Sequence, residues 1–151
     1  MFKQFIAWPL AALLLLASTV TSAFAGPAGS IVVANRGAGS ISIIDAATLA
    51  VTTQALPGGT NTPEPMYVVA DPVTDRFFVG DRANDRVVAY SASTFNPIGS
   101  IGAGSGVFHM WGNSNTGQLW VVNDTAQQMT ALNMQTLIPI ITFDTPANLS
   151  A

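Results

Sequence analysis

The 151-residue chain has no cysteine, one histidine (His109) and one lysine (Lys3). Without cysteine there are no disulfides, no thiolate metal sites and no lipid-modified N-terminal cysteine. Charge is also scarce: 9% of residues are charged, against 49% hydrophobic. Eight acids outnumber five bases, for a formal charge of −3. An acidic surface repels phosphate backbones, so nucleic acid is not an expected partner. There is no phosphate-binding glycine loop and no dinucleotide glycine pattern. Residues Ala103 to Val107 do not fit the register of a nucleophile elbow.

Long apolar runs are confined to the N-terminus. Lys3 supplies a short positive region, Ile6 to Val20 an apolar stretch, and Ala23-Phe24-Ala25 a small-x-small cleavage site. The stretch is short for a membrane span and carries Pro9. Residues 1–25 therefore read as a signal peptide cleaved after Ala25, and the protein as periplasmic or secreted. After cleavage no other run is long enough to span a bilayer, and the one lysine is lost while all eight acids remain.

What the rest of the chain has is a repeat. Ile31–Leu49 (IVVANRGAGSISIIDAATL), Phe77–Phe95 (FFVGDRANDRVVAYSASTF) and Leu119–Leu137 (LWVVNDTAQQMTALNMQTL) align without gaps, their starts 46 and then 42 residues apart. The 42-residue offset also carries Pro65–Arg76 onto Val107–Gln118. A period in the low forties with several short strands per unit is what a β-propeller blade produces. The openings of the repeats (Ile31 to Ala34, Phe77 to Val79, Leu119 to Val122) are apolar without alternation, the pattern of a strand buried on both faces. Asn35, Asp81 and Asn123 follow as turn formers. An alternating strand comes next, then Asp45, Ser91 or Asn133, and three residues later a threonine in every copy (Thr48, Thr94, Thr136). That spacing suits Asx and Ser/Thr turns. The strands beyond are more polar or broken by Pro and Gly, as outer edge strands are.

Val32 to Asn35 (VVAN) and Val121 to Asp124 (VVND), with Ser42 to Thr48 (SIID-x-x-T), resemble the YVTN-type, YncE-like β-propeller repeat family, and the resemblance covers nearly all of residues 26–151. It implies four-stranded antiparallel blades around a central channel, in exported or surface proteins that mostly bind or scaffold. The family has no shared catalytic set to carry over. Its strand order makes Pro65 to Ala70 and Val107 to Gly112 the innermost strands of the second and third units, with no counterpart before Ile31. The expected fold is thus all-β: about three incomplete propeller blades, with units near 31–56, 65–102 and 107–143. Propellers close with four to eight blades, so a fragment of a longer propeller is expected. Closure by two copies, or a stable open stack, are the alternatives, and open blade edges offer self-association.

Candidate site residues are few. His109 lies in an innermost strand, where it could meet a ligand or metal, or simply pack with one hydrogen bond. Arg36 and Arg82 share one repeat position and could hold an anion at a rim; the plainer expectation pairs such arginines with the nearby Asp81 and Asp85. Trp111, with Trp120, Tyr67, Tyr90 and Phe108, could stack on a ring ligand, although strand position favours core packing between blades. The scattered aspartates match no calcium loop. No catalytic residues, metal or cofactor are expected. The function expected is an exported, non-enzymatic propeller that binds a protein or small molecule. The alternative is part of a lactonase-like or quinone- or haem-dependent oxidoreductase-like propeller whose site is completed by other blades.

Overall fold

Two-residue alternation, turn residues at fixed offsets and a 42–46-residue period dictate short antiparallel strands. The structure, a computed structural model, describes residues 29–146. The leader at 1–25 lies outside the described residues. Among the described residues, eleven strands form three antiparallel sheets, or blades. Blade 1 holds β1 (Ser30–Asn35), β2 (Ser40–Asp45) and β3 (Val51–Ala55). Blade 2 holds β4 (Pro65–Asp71), β5 (Arg76–Asp81), β6 (Arg86–Ser91) and β7 (Pro97–Gly102). Blade 3 holds β8 (Val107–Asn113), β9 (Gln118–Asn123), β10 (Gln128–Asn133) and β11 (Pro139–Asp144). Strands run in sequence order across each sheet, joined by tight turns. Contacts between sheets concentrate where β4 meets β1 and β8, so the inner strands converge.

The repeat recurs in backbone geometry as well as in sequence. Leu49, Phe95 and Leu137 all adopt left-handed φ, at 60°, 60° and 57°. Each closes the turn opened by Asp45, Ser91 or Asn133, whose side-chain oxygen accepts the N–H of Thr48, Thr94 or Thr136. The Thr48 N–H, its hydroxyl and the Ala47 N–H hold the exposed Asp45 carboxylate below its ordinary range. These hydrogen bonds fix a conformation that a β-branched or bulky residue otherwise avoids.

Strand alternation gives each blade a forward face toward the next repeat and a backward face toward the previous one. Val32 and Ile41 on the forward face of blade 1 meet Phe77, Val79, Val88 and Tyr90 on the backward face of blade 2. Phe78, Val87 and Ala89 on the forward face of blade 2 meet Leu119, Val121 and Leu132 of blade 3. Burial on this scale contributes about 1.5–3 kcal/mol for each large side chain. Gly80 makes the second junction possible: a Cβ there would sit 2.8 Å from Val107 Cγ1.

Of the three strands that open the repeats, only β5 is buried on both faces, although the apolar openings of all three led one to expect it. In β1, Ile31 and Val33 are 54% and 40% exposed. In β9, Leu119 and Val121 are buried while Trp120 and Val122 are partly open. The reason is position: blade 2 has a neighbour on each side, whereas among the described residues nothing covers the backward face of blade 1 or the forward face of blade 3.

Candidate functional site

The inner strands break their ladders at equivalent places. The register of β4 on β5 shifts between Pro65 and Tyr67, and that of β8 on β9 between Val107 and Met110. Such bulges re-aim side chains. Tyr67 and His109, one repeat apart, meet edge to face with ring centroids 5.3 Å apart at 68°. Phe108 lies against the imidazole at 4.3 Å and 75°. Met110 turns into the core, and Trp111 beyond it is 76% exposed. Tyr67, His109, Trp111, Trp120, Val122 and Met129 wall an open cleft of about 320 Å³. No carboxylate or arginine lines it. Its chemistry is that of aromatic faces, a thioether and one imidazole, suited to stacking and edge contacts.

The aromatic residues therefore part company with the expected core. Tyr90 alone of the five is fully buried, stacked on Phe77 at 4.8 Å, and burial pushes its phenol up to about 12, with Asp81 adding to the effect and Arg86 opposing it. Trp120 and Phe108 are half-buried and Tyr67 is exposed. Alternation sends Trp111 and Trp120, paired across β8 and β9, to the uncovered forward face of blade 3.

The two repeat-equivalent arginines sit apart from this cleft and reach across blade junctions. Arg36 bonds Glu64, the residue before β4. Arg82 places one nitrogen 2.7 and 2.6 Å from the two oxygens of Asp124, with its guanidinium 5.8 Å from the centroid of the Phe108 ring. That hydrogen bond, more than Coulomb attraction and against burial, raises the Arg82 pKa further. Burial pushes the Asp124 carboxyl up, but the Arg82 hydrogen bond and charge, with Thr125, outweigh it and hold the pKa below its ordinary value. The expected pairing with Asp81 occurs for Arg86 instead, at 2.9 Å. Sequence reasoning missed Glu64 and Asp124 as acceptors. The signal was present for one of them: Asp124 occupies the repeat position of Arg82 with the charge reversed. Among the described residues no three His, Asp or Glu side chains gather as metal ligands.

Stacked antiparallel sheets with converging inner strands and a repeating face-to-face junction define three blades of a β-propeller. No protein-family model matches the chain, and no curated protein matches it by sequence. Solved structures do. Kuenenia stuttgartiensis hydrazine synthase aligns with a TM-score of 0.69 at 15% identity, over 87% of this chain and 39% of that one. Sqt1 of Saccharomyces cerevisiae gives 0.66 at 9% identity, over 78% and 30%. The dihydro-heme d1 dehydrogenase NirN, in complex with DHE, gives 0.62 at 15%, over 79% and 25%. The chain thus spans two-fifths or less of each of these proteins, and the likeness is one of fold.

Proposed function

We propose that the chain is an exported, non-enzymatic binding module of the YVTN-type, YncE-like kind, which holds an aromatic group of its partner in the cleft at His109 and Trp111. The observation that carries this reading is the paired bulge. It brings Tyr67 and His109 together at the surface and leaves Trp111 exposed beside them. An exposed tryptophan next to pre-packed rings loses little entropy on stacking. Arg36 and Arg82 are assigned to holding blades together, since each is already neutralised by a carboxylate of the next repeat. Periplasmic or secreted location rests on the leader at 1–25.

His109 is the sole histidine, so its imidazole gives one resolvable NMR signal. Titration with short peptides bearing Trp or Tyr should shift that signal saturably. Trp111→Ala should weaken the response at least tenfold, and aliphatic peptides should leave the signal unmoved. A shift that survives Trp111→Ala, or no shift with any aromatic peptide, refutes the assignment. Turnover that depends on His109 in an assembly with further blades would favour the enzymatic alternative.

A further inference from the structure

The junction of blades 2 and 3 is bridged at one rim by Arg76, the first residue of β5. One nitrogen of its guanidinium crosses to blade 3 and donates to the carbonyls of Met134 and Gln135, at 2.7 Å each, in the turn after β10. The junction of blades 1 and 2 has the same frame. Ser30 opens β1 as Arg76 opens β5, and it pairs with Asp45 in the register in which Arg76 pairs with Ser91. Ala92 and Ser93 follow β6 where Met134 and Gln135 follow β10. A serine side chain is too short to span this rim as the arginine does. An open cavity of about 390 Å³ lies here, walled by Ser30, Asp45, Thr48 and Gln54 of blade 1 and by Thr94 and Phe95 of blade 2.

The charge on the cavity wall is the Asp45 carboxylate, where the next repeat has neutral Ser91. One of its oxygens accepts the N–H groups of Ala47 and Thr48. None of the four arginines among the described residues reaches it: Arg36 bonds Glu64, Arg82 bonds Asp124, Arg86 bonds Asp81, and Arg76 bridges the other junction. Relative to the second junction, the first has thus exchanged its own guanidinium for space and a carboxylate.

We infer that this cavity binds a guanidinium group from outside the chain, seated between the Asp45 carboxylate and the turn at Ala92 to Phe95. The second junction shows the same turn accepting such a group. A guanidinium is planar, weakly hydrated and rich in donors, so it suits a carboxylate facing backbone carbonyls, and its flat face suits the Phe95 ring. The net charge of −3 favours approach of a cation. The group can belong to a small molecule or to an exposed arginine of a peptide. The site lies apart from the cleft at His109 and Trp111, and the inference does not depend on the role proposed for that cleft.

The test is titration of the isotope-labelled chain with agmatine, with the peptide Gly-Arg-Gly and with its neutral citrulline counterpart, followed by the backbone amide signals. Agmatine and the arginine peptide should shift Thr48 and Thr94 saturably at millimolar concentration and leave His109 unmoved. The citrulline peptide should shift neither threonine. Equal affinities for agmatine and the peptide would point to a small molecule as the source, and a much tighter peptide to a partner's arginine. Asp45→Asn keeps the turn, because Asn133 makes the same turn in blade 3, and should weaken binding about tenfold. Ser30→Arg should supply the guanidinium from within the chain, raising Tm and abolishing the response to agmatine. No shift with agmatine in the wild type overturns the inference. So does an equal response to citrulline, or wild-type affinity in Asp45→Asn or in Ser30→Arg. Trp111→Ala should leave agmatine binding intact, which separates this result from failure of the aromatic cleft.

Discussion

Asp81 and Arg86 form the most buried ion pair among the described residues, with side-chain exposures of 0% and 12%. Asp81 also accepts the Glu64 N–H at 2.9 Å and the Asn84 amide at 2.8 Å. Arg86 donates to the carbonyls of Pro57 and Gly58 as well. Together they fasten the connection between blades 1 and 2 to blade 2. The same repeat position holds neutral groups in blade 1, where Asn35 donates to Ser40 at 3.2 Å and to Ser42 at 2.8 Å. Blade 1 thus supplies the replacement for a double-mutant cycle. Removing one partner of a buried pair costs about 3–5 kcal/mol. Arg86→Ser should fall in that range. Asp81→Asn keeps an acceptor oxygen and should cost less, about 2 kcal/mol. The double variant, matching blade 1, should be less destabilised than the sum of the singles by about 1–3 kcal/mol. At this chain size each kcal/mol moves Tm by about 4 °C. Urea and thermal unfolding followed by circular dichroism measure all four corners. Additivity within about 0.5 kcal/mol, or a neutral Asp81→Asn, would refute the coupling.

Three other outcomes follow from the same geometry. Gln127 is exposed with φ at 52°, so Gln127→Gly should relieve left-handed strain and raise or preserve Tm, whereas Gln127→Val should lower stability by about 1 kcal/mol or more. In acid, Asp71 and Asp124 should give way. At Asp71 burial pushes the carboxyl up, but the Thr74 and Ser114 hydroxyls and two backbone N–H groups outweigh it, so both carboxyls titrate below their ordinary value. A depressed folded pKa stabilises fully above the unfolded value of about 3.9, and the gain drains away as pH falls through the folded value. Tm should therefore hold from pH 7 to about 5 and drop between about 4 and 2, with a shallower drop in Asp71→Asn; a Tm that rises on acidification to pH 3 contradicts this. Arg82→Ala should loosen the junction of blades 2 and 3 by about 1 kcal/mol, a modest loss because the Asp124 partner is partly solvated, and stability curves at low and high salt should converge for the variant.

The blade architecture was legible because repetition reports on packing. One face needs apolar residues at every second position, and three copies in register show it three times over. The turns at Asp45, Ser91 and Asn133 were legible for a local reason: the side-chain oxygen and the N–H it accepts lie within three residues. The degree of burial was not. The apolar run at Ile31 looks the same as that at Phe77, and only the presence of a neighbouring blade makes one half-exposed and the other buried. For the same reason the strand position of Trp111, which favours core packing, does not report its exposure. The bulges at Tyr67 and His109 left no mark in composition, and the Arg82–Asp124 bond spans one whole repeat, beyond any local rule.

The central claim is that alternate residues of each strand face opposite blades, and the junction at Gly80 tests it most directly. A Cβ on residue 80 would stand 2.8 Å from the Cγ1 position of Val107, where a cysteine sulfur would lie, within reach of a disulfide whose Cβ atoms are about 3.8 Å apart. In this cysteine-free chain, Gly80→Cys with Val107→Cys should close an intramolecular disulfide on mild oxidation, seen as a mass loss of two hydrogens and a non-reducing gel shift. Val79→Cys with Val107→Cys should stay reduced, because Val79 faces blade 1. A disulfide from the second pair and none from the first would contradict the stacking.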